Sequence, residues 1–279
     1  MSKAPALKAP ARKPRAQRPH PATQEIDAHE GDPDFMKSLA RGLAVLRSFG
    51  DHRRGLTISQ ASQRTGIPRA AARRCLLTLE KLGYVAADGD SYLPCPKVLS
   101  LGQGFLSSNI LAASAQNVLD DIRDALHESC SLGVMESDEV CYIARAETTR
   151  IMSISLRVSS RLPAYCTSMG RVLLAALPPA ELDAYLERTA LLPRTRKTIT
   201  SRAKLVQAID SARRGGYAVV DQELELGLRS IAVPVRNRDG EVVAALNIGM
   251  QSARVPLHEL ESRFLEKLKA GAHILGFRA

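Results

Sequence analysis

Between Leu56 and Tyr84 the chain reads LTISQASQRTGIPRAAARRCLLTLEKLGY, and Gly66, Pro68 and Gly83 set where helices can start and stop in it. Pro68 lacks an N–H, so a helix can begin there but cannot run through it, while Gly66 and Gly83 suit the left-handed positions that end helices. Thr57 offers a capping hydroxyl. A short helix containing Ile58, Ala61 and Ser62 is therefore expected to stop at Gly66, and a second to run from Pro68 to Gly83. Upstream, Leu39, Leu43, Leu46 and Phe49 recur at helical spacing between Lys37 and Gly50, which predicts an earlier helix. Downstream, YVAADGDSYLPC predicts two short strands around a Gly-Asp turn. Three helices in this order with a trailing hairpin make a winged helix-turn-helix, and the order is far more specific than any one element.

The last of those helices carries the basic residues. At 100° per residue, Ala72, Cys75, Leu76, Leu79 and Gly83 fall on one side, and Ala70, Arg73, Arg74 and Leu77 on the other, with Arg69 at the N-terminal edge. A lone basic amphipathic helix is usually a solvated face. The preceding helix, the tight turn and the wing supply a docking frame that favours nucleic acid. Arginine can read guanine edges or hold phosphates in a bidentate fork, and small residues such as Ala70 permit close approach to a groove. The expected double-stranded DNA contacts are Arg69, Ala70, Arg73 and Arg74, with the wing around Ser91 and Tyr92. Arg41, Thr57 and Ser59 are expected to hold phosphates rather than read bases. Two such modules reach half-sites on one face of a duplex, so a dimer on a palindromic operator follows.

Charge supports that placement. Of the net +10, residues 1–20 hold six Lys/Arg and no acid, residues 21–35 five acids and no base, and residues 36–97 eleven bases against four acids, leaving only +2 for residues 98–279. The basic character sits in the first third, where a polyanion would dock. The Pro- and Ala-rich start has almost nothing to bury, so residues 1–34 are expected to be a disordered tail, followed by the winged helix-turn-helix at 35–97, a linker helix at 98–112 and a second domain at 113–279. No apolar run is long enough for a membrane span and no secretory leader is apparent, so a cytoplasmic protein is expected. The five cysteines are scattered and form no CxxC pair, which disfavours both a disulfide framework and a zinc site.

The second domain alternates strands and helices. SLGVMES, VCYIARAE and IMSISLRV are expected to be consecutive strands, a helix to start near Ser168, further helices to cover PAELDAYL and LVQAIDSARRGG, and YAVVDQE to be a strand. RSIAVPVRNRDGEVVAALNIGM predicts a hairpin turning at Asn237 to Gly240, and a helix from Leu257 closes the chain. The fold class is thus α+β with an antiparallel sheet. The chain has no GxSxG, GxxxxGK[ST], HExxH or GxGxxG, and its six histidines are dispersed, which argues against an enzyme with a basic appendage and against a catalytic or metal centre or a bound cofactor. A purely structural DNA-binding protein fits poorly with so developed a second domain.

MKSLARGLAVLRSF followed by LTISQASQRTGIPRAAARRCLLTLEKLGYV resembles the winged-helix domain of IclR-type transcriptional regulators. PRAAARR is similar to the branch that governs aromatic-acid and β-ketoadipate catabolism. RLPAYCTSMGRVLLAAL and GGYAVVDQELELGLRSIAVPVRNRDGEVVAALNIG resemble the family's two effector-domain signatures, so the likeness spans nearly the whole chain beyond the tail. Members of the family have a Ser-Thr pair where this chain has Ala70 and Ala71, which removes hydroxyl contacts and leaves more of the reading to Arg73 and Arg74. The resemblance implies a GAF-like effector domain that binds a small organic acid, of the 4-hydroxybenzoate, protocatechuate or β-ketoadipate class or from another carboxylate pathway. It also implies dimers that pair into tetramers, and an effect on DNA binding or RNA polymerase recruitment. Carried over by position, the pocket would use Tyr165, Cys166, Thr167, Asp221, Ser230 and Asn247.

The residues themselves agree in part. A helix starting near Ser168 presents free N–H groups and a positive dipole end to a carboxylate, although Thr167 or Ser168 can simply cap it. Asp221 and Glu223 can accept hydrogen bonds from a ligand, or pair with Arg229 or Arg213. Arg145 and Arg157, on predicted strands, either clamp an acid or face solvent. Nothing near Cys166 in sequence activates its thiol, so it reads as a packing residue.

Overall fold

Ala72 and Leu76 have no exposed surface, and the helices around them are arranged to bury that stripe. The computed structural model describes residues 21–50, 55–108, 110–148 and 156–277, and its contacts divide the chain into one unit ending at Gly104 and another beginning at Phe105. The first unit comprises α1 (Pro21–Asp27), α2 (Lys37–Arg47), β1 (Leu56–Thr57), α3 (Ile58–Thr65), α4 (Arg69–Lys81), β2 (Val85–Asp88) and β3 (Ser91–Pro94). Thr57 closes a reciprocal cap on α3, accepting from Gln60 N at 3.2 Å while its own N–H donates to Gln60 Oε1 at 2.9 Å. Gly66 ends α3 with φ +70°, and Gly83 follows α4 with φ +76°. The inward stripe of α4 differs slightly from the wheel: Ala71 is buried with Ala72 and Leu76, whereas Cys75 and Leu79 are only half-buried. The hairpin is a three-stranded sheet of order β1-β3-β2, because Leu56 and Thr57 pair with Tyr92 and Ser91. β1 is too short to announce itself in sequence.

The expected tail is corrected in part. Residues 1–20 lie outside the described residues, but Pro21–Asp27 is a helix, not a disordered segment. Ile26 is buried in the core of the first unit, and Thr23 Oγ1 donates to Thr65 O at 2.8 Å. Glu25 pairs with Arg47 at 2.6 Å and Glu30 with Lys37 at 3.2 Å, so acids that suggested solvation lie over bases of α2.

Helix α5 (Leu99–Ser108) follows, and α6 (Ile110–Leu126) begins three residues before the expected start of the second domain. The second unit is built on β4 (Ser129–Glu136), β5 (Glu139–Ala146), β6 (Arg161–Pro163), β7 (Ala218–Asp221), β8 (Leu228–Arg236) and β9 (Val242–Gln251). They form one six-stranded antiparallel sheet of order β6-β5-β4-β9-β8-β7. Alternation sorts each strand between two cores. Leu132, Ile231, Val233, Leu246 and Ile248 meet α6 and the closing helix α10 (Glu266–Phe277) on one face. Val140, Tyr142, Ala218, Ala232 and Ala245 meet α7 (Ser168–Ala176), α8 (Pro179–Arg188) and α9 (Arg202–Gly215) on the other. The expected strand IMSISLRV falls largely on residues 151–155, outside the described residues; Leu156–Ser160 is not strand, and the sheet's edge is Arg161–Pro163 instead.

Candidate functional site

On α4, Arg69, Ala70 and Arg73 are all exposed and share a face. Pro68 starts this helix without a side-chain cap, and Ser62 Oγ donates to Ile67 O at 2.7 Å, which fixes the turn that aims it. Arg74 is exposed as well, one turn on from Ala70, at the edge of that face. It borders an apolar groove of about 620 Å³ between α2 and α4, with Arg41 across from it and Cys75 beneath both. Burial pushes the Cys75 thiol up, and the two guanidinium charges pull it partly back. Arg41 thus lines the groove. Ser59 is exposed, while the Thr57 oxygen is engaged in the cap. Ser91 and Tyr92 lie on the central strand of the wing, with Tyr92 packed against the core. The exposed wing tip is Asp88-Gly89-Asp90, an acidic turn that repels phosphate.

The second unit holds a small cavity of about 30 Å³ between the sheet and the start of α7. α7 is buried from Ser168 through Ala175, which its nearly all-apolar sequence permits. Gly170 lets the helix seat: a Cβ there would lie 2.1 Å from Ala164 O. Thr167 caps the helix, accepting from Gly170 N at 3.2 Å and donating to Pro163 O at 3.1 Å. Five of the expected ligand residues line the cavity, namely Arg145, Cys166, Thr167, Ser230 and Asn247. Ser168, at the helix start read above as either facing a carboxylate or capping, lines it too, as do Ser129 and Tyr142, which were not foreseen as ligand contacts, among the apolar Leu156, Leu162, Val220 and Leu224. The small polar residues of SCSLG, alternating within a buried strand, were the available signal for Ser129. Ser168 Oγ and Asn247 Oδ1 are buried with no hydrogen-bond partner. Such atoms are costly unless something fills the space beside them.

The other expected residues are elsewhere. Tyr165 is buried with its hydroxyl on Leu192 O at 2.8 Å, and Arg157 is exposed on a loop and not on a strand. Asp221 takes Arg229 and Lys197, at 2.7 and 2.6 Å, so of the alternatives the ion pair is realised. Burial pushes its carboxyl up, but the hydrogen bonds from those two cations outweigh burial and hold it below the usual carboxylate range. Glu223 pairs with Arg171 at 2.6 Å and also accepts from Ile199 N at 3.2 Å, while Arg213 pairs with Asp210. The buried Arg171–Glu223 pair joins α7 to the segment after β7; its two members are 52 residues apart, so spacing does not reveal it. Burial raises the Cys166 thiol to about 11 and the Tyr142 hydroxyl to about 12. Both stay protonated at neutral pH, which suits non-covalent binding and not nucleophilic chemistry. Among the described residues, no cluster of His, Cys, Asp and Glu could hold a metal, and no helix is long and apolar enough to cross a membrane.

Residues 38–89 match the IclR helix-turn-helix domain, and residues 103–275 match the bacterial transcriptional regulator IclR C-terminal domain. The chain belongs to the IclR family of transcriptional regulators. Its IclR relatives include the Pca regulon regulatory protein of Pseudomonas putida, 53% identical with 90% of this chain and 87% of that one covered. Another is the p-hydroxybenzoate hydroxylase transcriptional activator of Acinetobacter baylyi, 35% identical over 92% and 95% of the two chains. Among solved structures, an IclR homolog from Microbacterium hydrocarbonoxydans complexed with 4-hydroxybenzoate is 25% identical, with a TM-score of 0.75 over 86% and 98% of the two chains. The α+β architecture, with its DNA-binding helix-turn-helix and C-terminal effector domain, is that of IclR regulators.

Proposed function

We propose that this IclR regulator controls genes of aromatic-compound catabolism in response to a small acid of the 4-hydroxybenzoate, protocatechuate or β-ketoadipate class, bound in the cavity under α7. The observation that carries this reading is that Ser168 Oγ and Asn247 Oδ1 are left unpartnered beside the cavity in a chain 53% identical to a Pca regulon regulator. Cys166, Thr167 and Ser230 complete the wall. Tyr165, Asp221 and Glu223 act behind it by pinning the segment from Leu192 to Ile199. At about 30 Å³ the cavity has room for roughly two waters. Binding an aromatic ring therefore requires the wall to yield, and the wall outside regular structure, at Leu156 and Leu224, is the part with fewest backbone ties. A ligand that must move its wall prefers one conformation over another, which is what a sensor needs.

On the DNA side, Arg69, Ala70 and Arg73 enter the major groove, and Ser59 holds phosphate. The protein binds a palindrome as a homodimer, since one recognition helix reads only a half-site. The residue spans assigned to the winged helix (35–97), linker helix (98–112) and effector domain (113–279) are part of the same proposal.

Thermal unfolding of the full chain with 4-hydroxybenzoate, protocatechuate, adipate and pyruvate tests the effector half. The aromatic acids should raise the melting temperature in proportion to ligand saturation. If none of the four shifts it, the effector assignment is wrong. Footprinting upstream of the protein's own gene neighbourhood, with and without the active acid, tests the DNA half: a palindromic protected site that responds to the acid is expected, and an unresponsive one would remove the sensor role.

A further inference from the structure

The cavity is faced by one charged side chain among the described residues, Arg145. Its side chain is only 10% exposed, and its guanidinium is held at two points. Nη1 donates to Ser131 Oγ at 3.0 Å and Nε to Glu147 Oε1 at 2.7 Å. Ser131 is buried and neutral, whereas Glu147 is 58% exposed. The arginine is therefore fixed to the sheet from beneath and neutralised from the solvent side. A carboxylate in water is a weak partner because solvent screens it and its side chain must be ordered. A carboxylate within the cavity would meet the same planar fork with less screening, and can take two parallel N–H bonds from it.

The strand register supplies the other end of the ligand. Asn247, Ser131 and Arg145 are consecutive cross-strand partners on β9, β4 and β5. Two strand spacings, about 10 Å of backbone, thus separate a cation from the unpartnered acceptor Asn247 Oδ1. A molecule that bridges them has a carboxylate at one end and a hydrogen-bond donor at the other. The end of β5 is also tied outward, since Arg145 O accepts from Gln116 Nε2 of α6 at 3.4 Å and Thr148 N donates to Ser129 Oγ at 3.1 Å.

We infer that Glu147 is an internal stand-in for the effector's carboxylate. When the acid binds, it takes the Arg145 fork, its far hydroxyl donates to Asn247, and Glu147 is released to water. The release frees the residue that joins β5 to Thr148, so binding is transmitted to the strand end that α6 touches. This deepens the effector reading above and rests on it.

The experiment is calorimetric titration of the full-length protein with 4-hydroxybenzoate, its neutral isostere 4-hydroxybenzamide, and adipate. Wild type is compared with Glu147→Gln, Arg145→Gln and Arg145→Lys. Glu147→Gln, which deletes the competitor, should bind 4-hydroxybenzoate about two- to fivefold more tightly. Arg145→Gln should bind it about tenfold to a hundredfold more weakly, with Arg145→Lys between, because the point charge survives but the fork does not. Affinity for the amide should hold steady in all three. Equal or weaker acid binding by Glu147→Gln overturns the exchange, as does an Arg145→Gln loss that falls equally on acid and amide. If Arg145→Gln does not fold, Glu147→Gln alone decides. Adipate binding with this same dependence while 4-hydroxybenzoate fails would keep the exchange and discard the aromatic reading; no binding of any acid to wild type discards both.

Discussion

Arg73 and Arg74 are adjacent in sequence yet stand about 100° apart around α4, and the structure divides them accordingly. Arg73 shares the open face of Arg69 and Ala70, while Arg74 borders the apolar groove opposite Arg41. Arg73→Ala should cost about 1 to 3 kcal/mol of operator binding and relax sequence preference. Arg74→Ala should cost less and leave preference intact. Fluorescence anisotropy on operator and scrambled duplexes checks this, and the reverse ranking would mean that α4 enters the groove on its other face. A second residue-scale test concerns Arg171 and Glu223, each less than a tenth exposed and 2.6 Å apart. Arg171→Met strands a buried carboxylate and should destabilise the chain by about 3 to 5 kcal/mol in urea. Arg171→Met combined with Glu223→Leu should recover most of that, since the pair's net worth is far below the cost of halving it. Were the double variant as unstable as the single one, the pair would be holding α7 in a way apolar packing cannot replace.

Helices α1 and α7 carry the predictions at the scale of elements. α1 is short, and Ile26 is its one side chain in the buried core of the first unit. Ile26→Ala should therefore lower stability by about 2 kcal/mol, and limited proteolysis should then cut near residues 21–31 before the rest of the first unit. An unchanged cleavage pattern would mean that the helix does not depend on this anchor. α7 approaches the segment before it so closely that Gly170→Ala puts a methyl group into the Ala164 backbone. Overpacking of this kind costs about 1 to 3 kcal/mol. Because α7 also sets Thr167 and Ser168 against the cavity, effector response should be lost in Gly170→Ala at temperatures where the protein remains folded by circular dichroism. Retained response at wild-type ligand concentrations would show that the cavity tolerates a displaced α7.

For the molecule as a whole, the question is what covers the α2–α4 groove. Met36, Leu39, Leu43 and Leu82 are each at least half exposed along it, an apolar patch that a soluble surface seldom leaves open. The homodimer proposed above would place a second copy there. Leu39→Glu with Leu43→Glu should shift the mass measured by light scattering towards monomer and weaken operator binding, while leaving most affinity for random DNA. A variant that stays dimeric with full operator affinity would place the dimer contact elsewhere.

Much of the architecture could be read from residue order because its signals are local. Thr57, Gly66, Pro68 and Gly83 act through their own backbone chemistry, so the helix-turn-helix was legible before any contact was known. Thr167 was legible as a cap for the same reason. Runs of strand-forming residues likewise marked most strands of the larger sheet, although which face each side chain takes was seen only in the folded sheet. Other features depend on what lies across space. Ile26 looked like part of a solvated tail until a core was present to receive it, and Arg157 could be read either as a clamp or as facing solvent until its segment proved to be an exposed loop. Asp221 and Glu223 offered themselves equally to a ligand or to a cation, and only the approach of Arg229 and Arg171 settled which. The alignment of Asn247, Ser131 and Arg145 joins three strands through hydrogen-bond register, and register is set by packing of the sheet as a whole. Caps and turns are written residue by residue, whereas a cavity is made by side chains that meet only when distant strands pair.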